Sequence, residues 1–99
     1  MTQHTKAFDT IRGKLRWWYL HGGGRPWHVQ AFLIAAQLNV PERCVREIFV
    51  LLDTLGLVSI TTWSKQAWRE ISYKECPIPD FFYNRDDANY VRVTPLFSF

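Results

Sequence analysis

Cysteine is scarce in this chain, and neither of its two, Cys44 and Cys76, sits in a CxxC pair. The histidines His4, His21 and His28 give no HxxxH or HExxH spacing either, so no contiguous motif offers a metal its ligands. Long apolar runs are missing as well. No stretch reaches the roughly 18 residues of a membrane span, and residues 1–10 lack the apolar centre of a signal peptide. A soluble, cytoplasmic protein is expected, in which two isolated cysteines are free thiols rather than a bridge. GxxxxGK[ST], GxGxxG and GxSxG are all absent, and Gly22, Gly23 and Gly24 read as a spacer. Asp86 and Asp87 are adjacent, so their side chains diverge, and a solvated turn suits them better than a catalytic pair. With no nucleophile beside a base and no converging carboxylates, neither an enzyme nor a cofactor is expected.

Apolar residues are plentiful by contrast, at 47% hydrophobic and 16% aromatic over 99 residues. That is enough for one core and too little for two, which predicts a single domain over residues 1–99. The net charge of +3 is unevenly spread. Residues 1–46 carry seven Lys or Arg against two acids, and residues 47–99 carry five against seven, so the front half is basic. Such an imbalance suits a polyanionic partner, and equally an ordinary solvated face.

Along the chain, Phe8, Ile11, Leu15 and Trp18 recur at three- and four-residue steps and predict a first helix over about 6–21, after a frayed start. Its end, Trp17-Trp18-Tyr19-Leu20, is apolar on both sides, which calls for a covering layer from the C-terminal tail or from a second subunit. Residues 29–38 are apolar almost all round and predict a short helix enclosed by neighbours. Asn39-Val40-Pro41 makes a tight corner: Asn tolerates the left-handed backbone that ends a helix, and Pro fits the first turn of the next. A longer helix follows from about Glu42 to Leu55, with Val45, Ile48, Phe49, Leu52 and Leu55 inward and Glu42, Arg43, Arg46, Glu47, Val50 and Asp53 outward.

Beyond Gly56, residues 58–63 (VSITTW) and 67–74 (AWREISYK) read as two strands joined near Ser64-Lys65-Gln66. Cys76-Pro77-Ile78-Pro79 stops regular structure, and residues 90–94 (YVRVT) form a strand expected to return beside one of the first two. The tail Pro95 to Phe99 is too apolar for water and is expected on the first helix or on a partner chain. Cys44 falls in the first turn of the longer helix. There it is either a thiol activated by the helix dipole or a small residue filling a Ser-sized place.

The stretch from Ala35 through the Leu38-Asn39-Val40-Pro41 corner, with Val45, Phe49 and Leu52 on one face and Leu55-Gly56-Leu57-Val58 leading into a strand, resembles the winged helix-turn-helix family. The resemblance covers a quarter to a third of the chain. It implies an α+β fold of three N-terminal helices and a β wing, with the helix-turn-helix over about 28–56 and the wing and C-terminal strands over 57–99. It also implies double-stranded DNA as partner and a role in transcription regulation. The second helix of the motif would enter the major groove with Arg43 and Arg46 as readers, since Arg donates two parallel hydrogen bonds to guanine. Glu42 and Glu47 flank them; they repel phosphate unless one accepts from cytosine N4. Lys65 and Arg69 in the wing would hold the DNA backbone. A homodimer through the first helix and the C-terminal aromatics is expected. Two other readings stand beside this one: a protein-interaction module displaying its aromatics, and single-strand binding by stacking on Trp63, Trp68 or Tyr73.

Overall fold

The computed structural model describes residues 3–64, 68–75 and 91–99. They form α1 (Gln3–His21), β1 (Trp27–Val29), α2 (Ala31–Leu38), α3 (Glu42–Thr54), β2 (Val58–Ser64), β3 (Arg69–Ser72) and β4 (Val91–Pro95). The fold is mixed α+β, with three helices and one antiparallel sheet of four strands in the order β1-β4-β2-β3. None of the described helices is long and apolar enough to cross a membrane.

α1 is anchored by Ala7, Ile11 and Leu15, four residues apart and fully buried. It begins at Gln3, earlier than the polar start suggests, and it ends at Gly22 for a steric reason. The Gly22 N–H donates to the Trp18 carbonyl at 2.8 Å. A Cβ there would stand 2.5 Å from that same oxygen and 2.8 Å from the Trp18 ring, so only glycine allows the chain to turn off the helix.

α2 and α3 end in the same way. After α2, the Asn39 and Val40 N–H groups donate to the Ala36 and Ala35 carbonyls, with Asn39 left-handed at φ 54°. After α3, Gly56 and Leu57 donate to Asp53 and Leu52, with Gly56 at φ 75°. Both are Schellman endings, which satisfy carbonyls the helix leaves open and turn the chain sharply. Between them Pro41 caps α3 from outside rather than opening its first turn, its carbonyl accepting from the Cys44 N–H at 3.0 Å.

The core gathers Val45, Ile48, Phe49 and Leu52 from α3 against the α1 residues, Val58 and Ile60 of β2, and Val91 and Val93 of β4. Two sequence expectations for α3 fail at its end. Leu55 is exposed, because the helix stops at Thr54 and Leu55 belongs to the turn. Asp53 is buried, because the Leu55-Gly56-Leu57 turn folds back over it.

β1 is the element that sequence periodicity misses: residues 27–29 pair with β4, so the second helix begins at Ala31 rather than near 29. α2 is also less enclosed than expected, with Phe32 and Leu33 exposed. β4 does return beside β2, as anticipated, but lies inside the sheet, flanked by β1 and β2. In the tail Phe99 packs against the core while Leu96 and Phe97 stay exposed. The turn expected near Lys65 and the segment 76–90, with Cys76 and the Asp86-Asp87 pair, lie outside the described residues.

Candidate functional site

The α2–α3 corner fixes where the front of α3 points. Its buried stripe faces the core, so Glu42, Arg43, Arg46 and Glu47 share the other side of the first two turns. Arg43 is the most open of them, its side chain 80% exposed, and its Nε stands 3.5 Å from Glu47 Oε1 one turn on. Glu42 and Arg46 are half-buried and engaged by neighbouring groups. This face carries two cations and two acids and is electrically neutral.

The hairpin residues divide. Lys65 lies outside the described residues. Arg69, at the start of β3, donates from both terminal nitrogens to the Glu75 carboxylate, the Nη1 bond being 3.1 Å. Each partner fixes the other's charge. The hydrogen bond from Arg69 holds the Glu75 carboxyl below its usual range, and Glu75 raises the Arg69 guanidinium in turn. A second ion pair spans the sheet: Arg92 of β4 reaches Glu70 of β3 across β2, Nη1 to Oε1 at 2.8 Å.

The chain's charge is not concentrated where the DNA-facing expectation puts it. α1 holds Lys6, Arg12, Lys14 and Arg16 against Asp9, a net +3 that equals the net charge of the whole protein. α3 holds Arg43 and Arg46 against Glu42, Glu47 and Asp53.

Cys44 is buried, and burial pushes its thiol up from the ordinary range, with the Glu47 charge adding to the effect. The helix dipole does not prevail, because the sulfur faces apolar neighbours rather than water. A thiol-alkylating reagent at neutral pH is expected to leave Cys44 unmodified in the folded protein and to label it after denaturation. Peptide mass mapping reads this directly, and native labelling at the rate of a free thiol would contradict the burial argument.

Trp68, read from the sequence as a stacking platform, is 79% exposed, in the left-handed region at φ 53°. Sequence gives no sign of that backbone, which aromatic residues seldom adopt. Tyr73, by contrast, packs against the core, and nothing is described of the Trp63 side chain. Two shallow recesses adjoin α1. One, of about 520 Å³, is lined by Thr10, Gly13, Lys14, Trp17 and Trp18. The other, about 260 Å³, runs from Lys14 to Trp27, Leu33 and Ile34. No group of three or more His, Cys, Asp or Glu among the described residues is placed to hold a metal. Compared with protein-family models, curated proteins and solved structures, the chain matches none, so its functional reading rests on its own residues.

Proposed function

We propose that the chain is a winged helix-turn-helix module that binds double-stranded DNA, with α3 in the major groove and the β2–β3 hairpin as its wing. The observation that carries this reading is the left-handed corner at Asn39 between α2 and α3, which leaves Arg43 projecting from the first turn of α3. An exposed ion pair such as Arg43–Glu47 contributes at most about 1 kcal/mol. A guanine edge or a phosphate therefore displaces Glu47 at little cost. Arg46 reads from the next turn, Glu42 and Glu47 restrict the accepted bases, and Lys65 holds the backbone. Arg69 joins it only by leaving Glu75.

Fluorescence anisotropy with duplex DNA across a salt series tests the proposal. Binding whose log K falls steeply with log salt is expected, and Arg43→Ala should then cost about 1–3 kcal/mol of specific affinity. An equal loss on all sequences would take Arg43 out of base reading. No binding at low salt with tens of micromolar protein, roughly where non-specific affinity alone is visible, would overturn the DNA reading.

The second reading is a protein-interaction module of the same architecture. It is favoured by the neutral outer face of α3 and by the exposed Phe32 and Leu33 on α2. Absence of DNA binding at low salt would leave it as the function to pursue.

A further inference from the structure

A recess of about 260 Å³ opens where β1 and one face of α2 stand beside α1. From α2 and its cap come Gln30, Leu33, Ile34 and Gln37, whose steps of three, one and three residues place them on a single helical face. That face lies beside the one that Ala31 and Ala35 bury in the core. β1 adds Trp27 and His28, and α1 adds Lys14. Three elements therefore wall the recess, whereas the larger one of about 520 Å³ is lined by α1 alone and meets a small molecule from one side only. The lining divides by polarity. Trp27 and Ile34 pack against the core, and the Trp27 ring is fixed by its edge-on contact with Phe49 at 5.7 Å. Leu33 adds an apolar side chain that the fold leaves 46% exposed. Around them stand Lys14, His28 and two amides, with no acid in the lining and no ion pair on Lys14 among the described residues. Gln30 makes no side-chain cap bond to α2, so its amide is left to the recess.

We infer that this recess binds a small organic carboxylate with a compact apolar body. The carboxylate sits on the Lys14 ammonium, and the body lies against Trp27, Leu33 and Ile34. The charge balance favours a carboxylate over a phosphate: one ammonium matches one negative charge, whereas a phosphate monoester brings about −1.5 to −2 and calls for more cations than the recess holds. The size sets the body. A volume of about 260 Å³ falls just under the roughly 300 Å³ where ligand pockets commonly begin, so a single ring or a branched chain fits and a nucleotide or an acyl lipid does not. Gln30 and Gln37 offer amide donors at the rim to the second carboxylate oxygen or to another polar group of the ligand. None of these residues belongs to α3 or to the β2–β3 hairpin, so the inference stands whether or not the chain meets DNA.

Titration of the isotope-labelled full chain with phenylacetate, followed by the NMR shifts of side-chain amides and indoles, tests this. Saturable shifts are expected at the Trp27 indole and at the Gln30 and Gln37 amides, with a Kd on the order of 1 mM or tighter, as a ligand of this size can reach. The neutral phenylacetamide should bind at least about tenfold more weakly, because it lacks the charge-assisted bond to Lys14. Lys14→Met keeps the apolar stem and removes the charge, and it should bring phenylacetate down to the level of the amide. Lys14 is exposed, so this variant keeps its fold. Phenylacetate binding unchanged by Lys14→Met would overturn the inference. So would acetate binding as tightly as phenylacetate, which would leave only a surface charge. Shifts centred on Gly13, Trp17 and Trp18 would move the ligand to the groove along α1, and an absence of saturable shifts by about 20 mM would leave no site at all; either result also overturns it.

Discussion

A chain ended after residue 90 is expected to lose its cooperative fold. The nine residues removed include β4, which pairs on both sides: Trp27, His28 and Val29 with Val93, Arg92 and Val91, and Val58 through Thr61 with Pro95 through Arg92. Without it β1 is a three-residue strand with no neighbour, and β2–β3 is a lone hairpin. Neither persists in water by itself. Val91 and Val93 leave the core as well, opening the sheet side of α1 and α3. Near-ultraviolet circular dichroism and a thermal melt should show a chain without fixed tertiary packing. A sharp transition retained by the shortened chain would contradict the inner position of β4.

Phe49→Ala is expected to cost about 3–5 kcal/mol of unfolding free energy. Phe49 heads the largest fully buried side chains, and its ring stands 5.7 Å from the Trp27 ring in an edge-on contact. It therefore ties α3 to β1, and a methyl group in its place leaves a cavity among neighbours that belong to different elements and do not close together. Domains of this size have about 5–15 kcal/mol to lose, so the variant should be marginal at room temperature. Guanidinium unfolding measures the shift in midpoint at constant slope. A loss under about 1 kcal/mol would place Phe49 at a site able to collapse rather than at the junction of the core.

Most of the helical half was legible in the residues. The Asn39 and Gly56 endings, the α3 stripe of Val45, Ile48, Phe49 and Leu52, and the strand read over 58–63, which runs one residue further to Ser64, all follow from side-chain spacing and from the backbone each residue type tolerates. Errors fall where an element is too short for its period to register. β1, with three residues behind a Gly-Pro loop, cannot show alternation, and its absence from the reading lengthened the second helix. Leu55 went wrong because a period of about 3.6 was carried past the helix end at Thr54, and Asp53 because the turn that follows folds back onto the last residues of the helix.

The candidate site was less legible than the fold. That Arg43 and Arg46 lie on one outer face follows from their spacing of three. Their state of charge compensation does not. Arg43 meets Glu47 within one helix, a contact that spacing allows, whereas Arg69 meets Glu75 only because the chain turns after β3. Cys44 occupies the same helical turn in either reading; its neighbours, not its position, make it a buried thiol with a raised pKa.

By itself, then, the sequence determined the local geometry: where helices start and stop, which faces are apolar, and where the chain turns. Those features depend on steric limits at single residues and on partners a few positions away. Tertiary structure alone decided the strand order β1-β4-β2-β3, the inner place of the C-terminal strand, and the two sides of α1, one buried and one bearing the exposed Trp17. The reason is physical. Pairing Trp27 with Val93 closes a loop over most of the chain, and only the collective burial of the core on one face of the sheet offsets that entropy.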